Sequence, residues 1–538
     1  MKNRQDKPLK DHVQNKKKFI PPFIHRIPGM SFVNWLDDIL PEIIWIQFIL
    51  NKFGDREGIG LLAGFSKFLS EITEKYKVEE EASGREFKYP HFSLLSNYKK
   101  IPEELEEDIR AKFKSSFYYE RFLCALTPLI FLYPEIPIRK LFDISDVDYS
   151  SHGDSFLKQV KLTVAELLNR RDKKAMILQT TAVYIEGVSG ALKIVRGSGL
   201  EKIEDIFDYP ETEDSRHIAS SVRAFVSTMG GMMPGIDRSW RLYFWQRGFS
   251  ISDCDIVGEE LIPDKQVAED PHEEAKNNSG PQIDNYDEAV ILYQNRVQQL
   301  ITESLREKTN LNESDKYDVL SGLISRQYRF VTAVLNGHNL ATVDLGQLLI
   351  RSMTDTHILL AWFFRCGKLE DYRRFIDYGL GQEKLFLEHL RANKKDGDSE
   401  VEKIITSIHS WIEGQKREMF LTVNVGTWAD KDTRILAKEA RLEKTYNSLY
   451  LPGSAMVHGS WNSIAKYNLR TCLNPLHKLH KLPDFEPVPH SVHIIATALD
   501  LFDMSFDFWA KSLGVSKSSE SIQGEFWNII QKNKSNQE

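Results

Sequence analysis

From Tyr286 to about Trp509 apolar residues recur at three- and four-residue intervals, and strict alternation is scarce. That spacing lines one face of a helix, so the second half of the chain reads as a series of amphipathic helices. Segments run over 286–305, 317–335, 345–364, 371–390, 400–420 and 433–450. A last one follows Pro489 and carries Ile494, Ile495, Ala498, Leu499, Leu501 and Phe502. Ser314 and Pro489 sit where a cap and a first-turn residue are expected. The first half is less regular but leans the same way over 41–53, 59–76, 101–113, 156–168, 175–186, 216–229 and 238–247. One short strand is expected at 191–195. The fold class read from this pattern is all-α, as two helical lobes.

The lobes are separated where periodicity fails. Residues 258–284 are acidic, and rich in turn formers toward their end, which reads as a linker. The expected division is a basic, disordered leader over 1–30, an N-terminal helical domain over 31–265, a linker over 266–283, a C-terminal helical domain over 284–515 and a polar tail over 516–538. Residues 1–18 hold seven Lys or Arg against Asp6 and Asp11, yet the whole chain has a net charge of −7. No global field therefore attracts nucleic acid. The four cysteines, Cys124, Cys254, Cys366 and Cys472, are widely spaced and form no C-x-x-C. Neither a disulfide framework nor a cysteine-rich zinc motif is signalled. The longest apolar run, 122–133, is shorter than the roughly 20 residues a bilayer span needs. A cytoplasmic, soluble protein with no membrane partner is expected.

Two polar insertions interrupt otherwise apolar helices. Arg351 and Asp355 are spaced i, i+4, which puts them on one face. Either charge would be costly to bury alone. Ser454 and His458 have the same spacing, with Tyr450 one turn earlier and Gly459 following. An imidazole there could act as a general acid or base. The two segments together resemble a bacterial all-helical domain family of unknown function, in which an Arg-x3-(Glu/Asp) helix precedes a Ser-x3-His near a tyrosine. The resemblance covers roughly 285–510, with Asp355 standing where many members carry Glu. Some relatives look like parts of antiphage systems. A looser resemblance joins Arg351 and His357 to the Arg-x(4–6)-His signature of HEPN-type ribonucleases. It implies a histidine acting at the 2′-hydroxyl or leaving group, an arginine steadying the phosphorane-like charge, and a site at a dimer interface.

Two further groups invite other readings. His477, His480, His490 and His493 form two H-x-x-H pairs just after Cys472, an alternative metal-ligand set. The bland reading of these is polar loop-end histidines, and the expectation is no metal and no cofactor. Residues 238–247 interleave Arg238, Arg241 and Arg247 with Trp240, Tyr243, Phe244 and Trp245. Such a pattern suits either base stacking or a buried aromatic face with snorkelling arginines. No phosphate-loop, dinucleotide, H-E-x-x-H or G-x-S-x-G motif occurs.

The function expected from these residues is an antiphage or stress effector acting on RNA. Its candidate catalytic residues are Arg351, Asp355, His458, His357 and Ser454, working without metal as a ribonuclease. RNA and either a second copy or an operon-encoded protein are the expected partners. The rival expectation is a non-enzymatic sensor or scaffold whose polar centre is structural.

Overall fold

The computed structural model describes residues 33–82, 92–99, 101, 103–143, 153–190, 200–231, 238–255, 286–308, 311–395, 397–415, 421–515 and 521–532, with two short strands nearer the start. The protein is all-α. The strands among the described residues are three-residue segments: β1 (Val13–Asn15) and β2 (Lys18–Ile20), paired antiparallel with Val13 opposite Ile20, then β3 (Leu469–Thr471) and β4 (Lys481–Pro483), paired with each other. The expected linker over 266–283 and strand over 191–195 lie outside the described residues, as does most of the leader.

The chain forms two compact units. Unit 1 comprises Met1–Lys265 together with Thr471–Leu482, and unit 2 comprises Gln266–Arg470 together with Pro483–Glu538. The sequence expectation of an unbroken C-terminal domain over 284–515 therefore needs correction: residues 471–482 belong to the first unit. Nothing in their local pattern signals this, because their partners lie far away in sequence.

Unit 1 contains α1 (Leu40–Phe53), α2 (Asp55–Ala82), α3 (Glu103–Lys114), α4 (Tyr119–Leu132), α5 (Gly153–Ala165), α6 (Lys173–Val188), α7 (Glu213–Gly231) and α8 (Ser239–Ser250). In α1 every residue from Leu40 to Leu50 is buried. A helix apolar on all sides must be surrounded, and α1 packs against α2, α4, α5, α6 and α8. Its one buried acid, Glu42, is met by Arg241 of α8: the guanidinium Nε lies 2.6 Å from the carboxylate. The backbone N–H and hydroxyl of Ser96 donate to the same carboxylate at 2.8 and 2.6 Å. The Trp240 and Trp245 indoles donate to the carbonyls of Pro41 and Leu36. The arginine–aromatic stretch over 238–247 is thus largely committed to the core.

Unit 2 contains α9 (Tyr286–Lys308), α10 (Ser314–Asn336), α11 (Leu345–Cys366), α12 (Leu369–Asn393), α13 (Ser399–Gln415), α14 (Thr433–Glu439), α15 (Leu451–Val457), α16 (Trp461–Tyr467), α17 (Val492–Leu513) and α18 (Ile522–Lys532). The centre is α11 against α17, flanked by α10, with α9 on α10 and α18 on α9. Helix α18 corrects the expected polar tail, since Ile522, Phe526 and Ile530 are buried in the unit's core. A smaller core of Leu380, Leu387, Ile405, Ile412 and Leu421 joins α12 to α13. Helix α17 begins three residues after Pro489, and Gly514 closes it in the left-handed conformation at φ 70°, the usual glycine role at a helix C-terminus.

Candidate functional site

Helix α11 presents two faces with different fates. Arg351 and Asp355 turn toward α14, α15 and the segment before α15. His357 is six positions beyond Arg351, about 240° further round the helix, and is fully buried. Its Nδ1 lies 3.0 Å from the Ser505 hydroxyl on α17. Ser505 donates to the Leu501 carbonyl and receives the Gln327 amide, so the consistent arrangement has His357 donating through Nδ1–H. Burial, reinforced by Arg365, holds its pKa down at about 4. His357 is a buried histidine on a different face of α11 from Arg351, held neutral near pH 7. The placement gives the HEPN-type reading of the Arg351–His357 pair no support.

Arg351 is held by two residues. Its guanidinium reaches Asp355 at 3.2 Å and the Tyr450 hydroxyl at 2.9 Å, and it sits 4.6 Å over the Tyr450 ring. Tyr450 stacks on Tyr446 at 4.7 Å. Both tyrosines lie in a wide π-type turn, Tyr446–Tyr450, that leads directly into α15. Pro452 at the second position of α15 supplies no N–H, and a widened turn is one way a helix absorbs such a break. Gly453 then brings α15 tightly onto α11. A Cβ there would lie 2.6 Å from the Cβ of Arg351 and 2.9 Å from the Gln347 carbonyl oxygen.

Asp355 completes the group, its other oxygen 3.5 Å from the Thr433 hydroxyl at the start of α14. Its pKa is raised: partial burial outweighs the opposing pull of Arg351, Thr433 and Arg326. The side chains of Arg351 and Asp355 keep 21% and 32% of their exposure, so the pair is neither sealed nor free. Arg351 Nε is buried and has no hydrogen-bond partner among the described residues.

Ser454 and His458 occupy the expected helix, with the His458 N–H donating to the Ser454 carbonyl at 3.1 Å. His458 is exposed at the end of α15. Among the described residues, neither side chain hydrogen-bonds to Arg351, Asp355 or Tyr450. The structure thus brings together Arg351, Asp355 and Tyr450, sets Ser454 on the helix packed beside them, and leaves His458 facing solvent. Thr433 joins the group through tertiary packing that no local motif announces, and Tyr446 joins it locally, by stacking on Tyr450 one turn away.

The surrounding stretch has its own charge. Residues 433–470 contain Arg434, Lys438, Arg441, Lys444, Lys466 and Arg470 against Glu439 and Glu443, a net of 6 − 2 = +4 in a chain of −7. All of these basic residues except the half-buried Arg470 are exposed. Trp461 is 68% exposed, and Leu451 and Val457 are exposed too.

Residues 317–472 match a family of unknown function, DUF5677. The matched segment carries Arg351, Asp355, Tyr450, Ser454 and His458 and ends on Cys472. No curated protein and no solved structure matches the chain. Among the described residues no helix is long and apolar enough to cross a membrane. Of the four histidines considered as an alternative metal set, His477 and His480 lie in unit 1 beside Cys254 and Cys472. His490 and His493 are exposed in unit 2 and do not join them.

Proposed function

We propose that unit 2 is an RNA-binding effector module, of a kind suited to antiphage or stress defence, and that its Arg351 centre shapes the binding surface. The observation that carries this reading is the 433–470 stretch. It is basic in an acidic chain, exposes Trp461 and His458, and is seated on α11 through Gly453 and the Arg351–Tyr450 contact. Exposed cations suit phosphates, and an exposed indole suits an unpaired base. The Arg351–Asp355–Tyr450 group then acts as a positioning element, as in the sensor or scaffold reading.

A second reading, metal-independent ribonuclease action, draws on the exposed His458 imidazole and the unpartnered Nε of Arg351. Among the described residues nothing joins the two side chains, so cleavage would require a second copy or bound RNA to bring them together.

One experiment separates these readings. Anisotropy of a labelled single-stranded RNA should report binding by wild-type protein that weakens as salt rises. Trp461→Ala should bind roughly tenfold more weakly, the scale of one lost base stack. Gel analysis of the same samples should show intact RNA. Cleavage by wild type that is lost in His458→Ala would establish the ribonuclease reading instead. A folded wild-type protein that binds no RNA at low salt would overturn both.

A further inference from the structure

The segment 471–482 enters unit 1 in an unusual way. After β3 the chain runs through Cys472, Asn474 and a single tight turn, Pro475–His477, then reverses into β4. The turn packs against α5 and α8, and Leu476 is buried in unit 1's main core. The approach to α8 is close: a Cβ on Gly248 would lie 3.0 Å from the Leu476 carbonyl oxygen. Lys478 and Leu479 both adopt left-handed backbone, at φ 55° and 56°. That is costly for two successive non-glycine residues. It folds the chain back so that the His480 carbonyl accepts from the Cys472 N–H at 2.9 Å and the His480 N–H donates to the His477 carbonyl at 3.1 Å.

The strained reversal gathers four side chains at one point. Cys472 and His477 come from the segment's first half, His480 from its return, and Cys254 from the chain just beyond α8. One ligand atom from each lies within 4.8 Å of every other. Cys472 Sγ is 3.4 Å from His477 Nδ1, and Cys254 Sγ is 3.4 Å from His480 Nε2. A tetrahedral zinc ion with ordinary Zn–S and Zn–N bonds sets its sulfur and nitrogen ligands about 3.6 Å apart, close to both values.

The surroundings of His477 point the same way. Its Nε2 lies 3.1 Å from the Ser252 carbonyl oxygen, so that nitrogen carries the proton and donates. The lone pair is left on Nδ1, facing Cys472. Metal-bound histidines are oriented by this kind of outer hydrogen bond. Asn474 holds the accepting segment in turn, its amide donating to the Asp253 carbonyl at 2.7 Å and to the Ser252 hydroxyl at 2.9 Å. The Leu473 N–H donates to the Asp255 carbonyl at 2.8 Å. The Phe249 ring covers both imidazoles, with centroids at 4.6 and 5.5 Å. Cys472 and His477 are buried, whereas Cys254 is exposed, which leaves an entry path.

We propose that Cys254, Cys472, His477 and His480 bind a zinc ion that fastens residues 471–482 into unit 1. Two thiolates and two imidazoles are a soft, nitrogen- and sulfur-only set, which selects zinc over magnesium or calcium. Four protein ligands fill a tetrahedral shell, so the site is structural, with no position left for substrate. Binding converts two thiols and one free zinc ion into a bis-thiolate complex and releases two protons to solvent, so affinity rises with pH. The reading is independent of any RNA-binding role for unit 2.

The test uses full-length protein purified under reducing conditions without chelator. Elemental analysis should find about one zinc per chain. Cys472→Ser and His480→Ala should each lower retained zinc roughly tenfold or more, while Cys124→Ser, which alters a cysteine outside the group, should leave it unchanged. Cobalt added to metal-stripped protein should give the intense visible bands of a tetrahedral site and a thiolate charge-transfer band, both strongly weakened in Cys254→Ser, which keeps one thiolate. Cys254 is exposed, so that variant keeps a folded control if the buried substitutions fail to fold. Reduced, folded wild type that takes up neither zinc nor cobalt would overturn the proposal and leave thiol–imidazole hydrogen bonds. A second preparation made without reductant whose denatured intact mass lacks two thiol hydrogens, and which binds no metal once reduced, would overturn it in favour of a Cys254–Cys472 disulfide.

Discussion

Unit 1 and unit 2 each set an arginine against a carboxylate in a helical bundle, and the two pairs have been treated very differently. Glu42 and Arg241 keep 1% and 8% of their side-chain exposure, and Ser96 donates two further hydrogen bonds to the same carboxylate. Asp355 and Arg351 keep 32% and 21%, and one guanidinium nitrogen is buried without a partner among the described residues. The first pair is enclosed and heavily hydrogen-bonded, which is what a buried charge requires in order to be tolerated. The second retains water contact on one side. A pair of the first kind specifies which helices meet, whereas a pair of the second kind can still respond to something arriving from outside.

Breaking the enclosed pair should have the largest effect. Glu42→Ala leaves Arg241 charged and buried without its main partner, at a cost of about 3–5 kcal/mol. Denaturant unfolding followed by tryptophan fluorescence should show unit 1 unfolding far earlier. A loss under 1 kcal/mol would mean that Arg241 finds water or Asp38 sufficient, and the contrast between the pairs would collapse.

His357 sharpens the comparison from the buried face of α11. The unfolded chain takes a proton there near the ordinary 6.5, and the folded protein only at about 4. Its contribution is therefore fully present above pH 6.5 and is lost as pH falls toward 4, by about 3 kcal/mol in all. Wild-type stability should drop across that window, and His357→Gln should flatten the slope. An NMR titration placing the His357 midpoint near 6.5 would refute the assignment.

The smallest effect is expected at the open pair. The raised pKa of Asp355 means that the folded state holds its proton to higher pH than the unfolded state. Its contribution to stability thus declines as pH rises from the ordinary 3.8 through the folded value. Asp355→Asn should therefore gain on wild type over that rise, with a change of about 1 kcal/mol or less. If the variant instead loses several kcal/mol at neutral pH, Asp355 behaves like Glu42, and the pair is structural.

The periodicity of the second half was enough to find α9, α11 and α17, because each buries one broad stripe against neighbours. The same signal was present in α18, where Ile522, Phe526 and Ile530 are helically spaced, but the polar residues on either side masked it. Arg351 and Asp355 were legible as a pair because i, i+4 spacing is local. Their partner Thr433 was not, since it depends on where α14 lands. Arg238–Arg247 left two readings open, and burial of Arg241 and Trp240 decides for the core. The companionship of Cys254 with the histidines is not legible in the sequence, because Cys254 precedes His480 by 226 positions. His490 and His493 are near His480 in sequence only, exposed in unit 2.

The excursion of residues 471–482 also sets an order of events at the ribosome. Residues up to Asp255 leave the exit tunnel first, yet the piece that fills the face of α8 follows 226 positions later, counted from Cys254 to His480. At ordinary elongation rates that is a wait of about 10–45 s. Throughout it, Gly248 and its neighbours lack the Leu476 that covers them in the finished protein. The unit that begins the chain is completed only after most of the other has been synthesised.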